Sequence, residues 1–266
     1  MTDVLFVIDM QNDFIDGALG TKEAEKIVKP VVNLIKLLNN AQSEHDVKLK
    51  VVATRDTHDD ATYMDSMEGK NLPVKHCIRD SHGWQIRTEV ADALDEAKAI
   101  IIDKPNFGLK PEMMKNLFDN VITDKINKIY VCGLCTDICV LSNVMLLKSL
   151  YPEADIIVIE NCCAGVTPAK HDAAIESMRS CQISIKEFAR KDKYDNAYWT
   201  VNSLIAKLQQ IKESGNGDKL IVVAEDEEGN GYRPLLRQDI LVTRDEVEEY
   251  VEEDDLNVDI DDVIVI

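Results

Sequence analysis

Over the first 190 residues, short apolar runs alternate with stretches of helical period, and several runs stop at a charged or small residue. Val4–Ile8, Leu49–Thr54, Ala99–Asp103, Ile129–Cys132, Ile156–Glu160 and Gln182–Lys186 read as strands. Between them, Ala24–Leu38 carries Ile27, Val31, Leu34, Ile35 and Leu38 on one helical face. Val90–Ala97, Pro111–Asn120 and Pro168–Ser180 read as further helices. Strands in this alternation pair in parallel, because each return needs a crossover helix. The expectation is a three-layer α/β/α fold with a mainly parallel sheet. In such sheets ligands bind beyond the carboxyl ends of the strands. Residues 56–85 break the pattern: they are polar, turn-rich and without period, and a connection that long in a compact domain is usually functional.

Three strand ends carry reactive side chains. The string Val7-Ile8-Asp9-Met10-Gln11-Asn12-Asp13-Phe14 ends the first strand in an acid, and Ile101-Ile102-Asp103-Lys104-Pro105 ends another in a lysine. In Val131-Cys132-Gly133-Leu134-Cys135-Thr136-Asp137-Ile138-Cys139-Val140, a buried strand runs through a small-residue turn into a helix that opens with cysteine. A thiol at such a place meets unpaired backbone N–H groups, which favour a thiolate and can receive an oxyanion. Cys132-x-x-Cys135 also has the spacing of a redox or zinc pair, but it overlaps the strand and turn that build this element.

An acid, a lysine and a cysteine in that order resemble the cysteine hydrolases of the isochorismatase-like superfamily, and the chain is most similar to the nicotinamidases within it. The resemblance spans about residues 1–190 and implies a domain at 1–192. It implies Cys139 as nucleophile, Asp9 as proton carrier and Lys104 as the balancing cation. It also implies an oxyanion hole from the amides of Cys135 and Cys139, with a cis peptide at Leu134–Cys135. An isochorismatase proper is not expected, since those enzymes characteristically lack the nucleophilic cysteine.

The long loop holds Thr54-Arg55-Asp56-Thr57-His58 and Leu72-Pro73-Val74-Lys75-His76-Cys77. Asp-x-His puts two ligands on one side of an extended segment, and a later histidine can complete a metal site with open positions. Three of the five histidines, His58, His76 and His82, fall within 25 residues. Asp56, His58 and His76 match the nicotinamidase metal positions. Glu68 is the expected fourth ligand, with His82 and Asp59 as rivals. One divalent transition metal is expected, zinc foremost, with manganese and iron also fitting the donors. Phe14, Leu72 and Phe107 are the candidate substrate-binding residues, with Trp84 a further aromatic candidate. Leu72 stands where several relatives place tryptophan, and one additional residue separates Pro73 from His76.

The expected activity is hydrolysis of nicotinamide to nicotinic acid and ammonia through a Cys139 thioester, serving NAD salvage, with pyrazinamide also accepted. The alternatives are another cysteine amidase of the superfamily, acting on ureido or carbamoyl substrates, or a non-catalytic binding protein. The net charge of −19 is concentrated in residues 213–266, where 18 acidic residues face 4 basic ones. That leaves −5 on the first 212 residues, and such a balance argues against nucleic-acid phosphate as a partner. No apolar stretch approaches the roughly 20 residues that span a bilayer, so no membrane is expected. Seven cysteines without a disulfide framework and without an export signal point to reduced thiols in a cytoplasm. A homo-oligomer is expected from the resemblance. Residues 200–266 read as a small acidic α+β module of unknown role, with a helix near Val201–Leu208 and strands at Lys219–Ala224 and Asp262–Ile266. Its acidic run Glu246–Asp255 reads as a solvated face.

Overall fold

The computed structural model describes residues 1–41 and 48–188, with the short segments 204–205, 209, 222–224 and 232–234. The chain forms two compact units, Met1–Arg190 and Lys191–Ile266. In the first, six strands make one sheet: β1 (Thr2–Ile8), β2 (Lys48–Asp56), β3 (Ile100–Lys104), β4 (Ile126–Leu134), β5 (Asp155–Ala164) and β6 (Ser184–Lys186). Their order is β3-β2-β1-β4-β5-β6, and every pairing is parallel. The chain therefore starts at the centre, winds outward to β3, then crosses back to β4. The crevice between the ends of β1 and β4 lies where the winding reverses, the place where such sheets bind ligands.

Burial explains the order. Val4, Leu5, Phe6, Val7 and Ile8 of β1 are all buried, as a strand covered on both faces must be. Edge strand β3 leaves Ile101 exposed. The main helices are α2 (Lys22–Ala41), α4 (Thr88–Glu96), α6 (Leu141–Leu150) and α7 (Pro168–Ser180), with short α1 (Asn12–Ile15), α3 (Met67–Asn71) and α5 (Pro111–Asn116) between them. Helix α2 turns Ile27, Val31, Leu34 and Ile35 into the core. Helix α7 opens with Thr167 accepting from Lys170 N and with Pro168 at its first position, where no amide is needed. Among the described residues no helix is long and apolar enough to cross a membrane.

Two readings need adjustment. Residues 56–85 contain a 3-10 turn at Tyr63–Asp65 and helix α3, whose cap Ser66 accepts from Gly69 N at 2.9 Å. Such short elements carry too few residues to show a period. The helix expected over Pro111–Asn120 leaves α geometry after Asn116 and continues as a wider π turn, Leu117–Val121. In the second unit, β7 (Val222–Ala224) pairs antiparallel with β8 (Tyr232–Pro234). The expected strand Asp262–Ile266, the acidic run Glu246–Asp255 and most of the expected helix near Val201–Leu208 lie outside the described residues.

Candidate active site and metal centre

The cysteine motif leaves β4 through Gly133, whose φ of +119° and close approach to β1 admit no side chain. A Cβ there would strike the carbonyl oxygen of Ile8, its partner in the register. The Leu134–Cys135 peptide is cis. Cys135 then caps a five-residue π turn, Thr136–Val140, which runs into α6. Its carbonyl accepts from Ile138 N and Val140 N, both at 3.1 Å, and passes over the amide of Cys139. The turn is fixed from outside. Thr136 Oγ1 meets His171 Nδ1 at 2.8 Å, Asp137 Oδ1 accepts from Val166 N at 2.9 Å, and Asn143 Nδ2 donates to the Cys139 carbonyl at 2.8 Å. The sequence pattern places a cysteine at the helix start, and Cys135 occupies that position. Cys139 sits one turn further in and is buried. Burial pushes its thiol well above the usual range, and the Lys104 ammonium, 3.7 Å from Sγ, works in the opposite direction.

Asp9 and Lys104 close the other side. Asp9, at the end of β1, has φ of +47° and is fully buried. Its Oδ1 accepts from Thr54 Oγ1 at 2.7 Å, and its Oδ2 lies 2.6 Å from Lys104 Nζ. Lys104 is equally buried, donates to the Asn106 carbonyl at 3.0 Å and lies 3.6 Å from Asp56 Oδ1. Burial would discharge this lysine, but the carboxylates of Asp9 and Asp56 outweigh it and hold the ammonium charged. Because one cation serves two buried anions, Asp9 is left undercompensated. Burial raises its carboxyl above the usual range despite Lys104.

Asp56, His58, Glu68 and His76 bring one ligand atom each within 4.8 Å of one another. His58 Nε2 lies 2.9 Å from Asp56 Oδ2 and 3.7 Å from Glu68 Oε2, while His76 Nε2 lies 3.6 Å from Asp56 Oδ2 and 3.4 Å from Glu68 Oε1. Metal–ligand bonds of about 2.0–2.2 Å would set neighbouring donors about 3.0–3.6 Å apart, so the set fits a transition metal. The groups behind these donors agree. His76 Nδ1 faces the Val74 carbonyl at 2.9 Å, which orients the ring and turns Nε2 toward Asp56 and Glu68. Tyr63 leans on the same ring and donates to the Leu72 carbonyl. Burial disfavours a charged His76, yet the hydrogen bonds to Asp56 and Glu68 prevail and lift it to about 10. For Asp56, burial is overcome by His58 and His76, which hold its carboxyl well below the usual range. Of the rivals to Glu68, neither His82 nor Asp59 belongs to this group. The His82 carbonyl accepts from Asn12 Nδ2, and the Asp59 carboxylate accepts from Ala61 N.

The two groups face one cavity of about 370 Å³. Cys135, Cys139, Asp56, Glu68 and His76 line it, as do the three substrate candidates Phe14, Leu72 and Phe107. Trp84 does not: its indole donates to Thr57 Oγ1 and lies under the Arg55 guanidinium, 3.8 Å from the ring centre. No role was legible in sequence for Gln11 and Asp13, which pin the segments carrying Asp56 and His76. Gln11 Nε2 donates to the carbonyls of Asp56 and Trp84, its Oε1 accepts from Asp56 N, and Asp13 Oδ2 accepts from Cys77 N beside His76. Polar residues that directly follow a core strand were the available signal.

The isochorismatase domain profile matches residues 3–187. The chain belongs to the isochorismatase family. It is an isochorismatase-like hydrolase, and its fold is shared by several solved amidases. One is the nicotinamidase/pyrazinamidase of Bacillus subtilis, 23% identical over 70% of this chain and 100% of that one, with a TM-score of 0.58. Another is the pyrazinamidase of Pyrococcus horikoshii in complex with zinc, 26% identical over 70% and 99%, with a TM-score of 0.56. The N-carbamoylsarcosine amidase of Thermoplasma acidophilum is 24% identical over 70% and 96%, with a TM-score of 0.52. No curated protein sequence matches the chain.

Proposed function

We propose that this isochorismatase-family hydrolase is a metal-dependent nicotinamidase that also accepts pyrazinamide. The observation that carries the reading is the four-donor group Asp56, His58, Glu68 and His76 opening on the same cavity as Cys139. A ureido or carbamoyl amide has no ring nitrogen for such a group to hold. A divalent transition metal, zinc foremost, would supply a Lewis-acidic open position for the pyridine nitrogen. The side chains of Phe14 and Phe107 would flank the ring, and the carboxamide carbon would lie over Cys139.

The Cys139 thiol gives its proton to Asp9 as sulfur bonds to the carboxamide carbon. Burial, by raising Asp9, makes it a better base for a thiol that burial has also raised. Lys104 holds the charge balance while the sulfur carries negative charge. The oxyanion rests against the amides of Cys135 and Cys139. When the C–N bond breaks, Asp9 returns its proton to the leaving nitrogen and ammonia departs. Water then cleaves the thioester, releasing the acid and restoring the thiol.

The test is ammonia release from nicotinamide by the intact protein and by Cys139→Ala, each before and after chelation. Release that needs both Cys139 and metal supports the reading. Release from ureido or carbamoyl amides alone would replace it with the second reading, which the fold shared with N-carbamoylsarcosine amidase keeps in view.

A further inference from the structure

The cavity is larger and greasier at its mouth than a single small ring requires. At about 370 Å³ it falls within the range of about 300–1,000 Å³ seen for drug-sized ligands. Its charged groups are gathered at the floor. At the rim, Met67 is 71% exposed, Phe107 45% and Leu72 37%. These three are among the eleven exposed large hydrophobics of the described residues, and all three line this one opening. Of the polar groups nearby, Asn71 Nδ2 donates to the Met67 carbonyl, and the Asn106 backbone carbonyl accepts from Lys104.

Resting on the nicotinamidase reading, the chemistry of the ring selects the point of extension. With the ring nitrogen and the C3 carboxamide both anchored, C2 adjoins both anchors, C4 adjoins the carboxamide carbon and C6 adjoins the nitrogen. C5 alone adjoins neither. We infer that the site takes pyridine-3-carboxamides with an apolar substituent at C5, seated on Met67, Leu72 and Phe107, in preference to unsubstituted nicotinamide. Among the described residues that line the cavity there is no lysine or arginine to pair with an anionic substituent.

The test uses the metal-loaded full chain and the probe 5-propylnicotinamide. Binding to Cys139→Ala, which cannot turn over, is measured by calorimetry beside nicotinamide, and kcat/KM is measured on the intact protein. A partly buried three-carbon chain is expected to tighten Kd about tenfold, equivalent to ~1.4 kcal/mol. Placing Met67→Ser and Leu72→Asn together in the Cys139→Ala protein is expected to bring the ratio of the two Kd values close to one. Equal or weaker binding of the propyl compound, with nicotinamide still hydrolysed by the intact protein, overturns this inference and leaves the amidase reading standing. A ratio unchanged by the rim substitutions overturns the assignment to these residues. Failure to bind or hydrolyse either amide overturns both readings.

Discussion

Replacing Lys104 with methionine isolates the charge balance of the centre. The side chain is fully buried, 2.6 Å from Asp9 Oδ2 and 3.6 Å from Asp56 Oδ1, so methionine keeps most of the volume and removes the only cation among the described residues that touches Asp9. Asp9 retains the Thr54 hydroxyl on Oδ1 and nothing comparable on Oδ2. Removing one partner of a buried pair costs about 3–5 kcal/mol, a large part of the 5–15 kcal/mol typical of a domain. The loss should grow with pH. In the native protein Lys104 is held charged above its ordinary range, so its contribution is constant at neutral pH and fades only in strong alkali. In Lys104→Met the Asp9 carboxyl, already raised, is raised further. The folded state then binds a proton that the unfolded chain has released above pH ~4. Stability falls as pH climbs from that value toward the folded one, by up to ~1.4 kcal/mol per unit. Urea unfolding of both proteins at pH 5.5 and pH 8, in chelator, measures this. A variant within 1 kcal/mol of the native protein at both pH values would refute the reasoning, since the buried pair would then carry no net electrostatic weight.

Three further outcomes are expected. Gln11→Leu leaves two buried backbone groups of Asp56 unsatisfied, and it should cost about 2–4 kcal/mol and weaken metal affinity about 10–100-fold. Competition with a chromophoric chelator reads the affinity, and an unchanged Kd would show that the clamp does not position Asp56. Because burial raises Asp9, the acid limb of kcat/KM should lie above the ordinary carboxylate range near pH ~4. A limb at or below that value in the pH profile contradicts its role as base. Zinc at a hundredfold excess over Kd should stabilise the native protein by about 2.7 kcal/mol, raising Tm by several degrees. A shift that survives His76→Ala would place the metal elsewhere.

The parts of this molecule legible in the sequence are those set by burial. A strand covered on both faces must be apolar throughout, so β1 and β4 announce themselves, and the residue that ends the apolar run marks the rim of the sheet. Asp9, Lys104 and the cysteine turn were readable for that reason. Asp56 and His58 were readable because an extended segment sends alternate side chains to one side. Glu68 stayed one of three choices, since the five-residue helix that carries it has no period to read. Gln11 and Asp13 act through partners 45 to 73 residues away, a separation that local pattern does not encode. Trp84, a further aromatic candidate only by resemblance, could not be placed by pattern; the structure sets it under Arg55, where it donates to Thr57.

The reactive side chains are drawn from strands of unequal security. Asp9 follows β1, which has neighbours on both sides, whereas Lys104 closes β3, a five-residue strand that among the described residues lies at the sheet edge and pairs with β2 alone. Fluctuations that peel an outer strand require far less than dissolution of the whole domain. On warming, the ammonium is therefore the member of the centre most readily withdrawn, while the acid and the sulfur hold their places. Catalytic silence should then arrive as a reversible event below the melting transition, and the fold's margin of safety exceeds that of its chemistry.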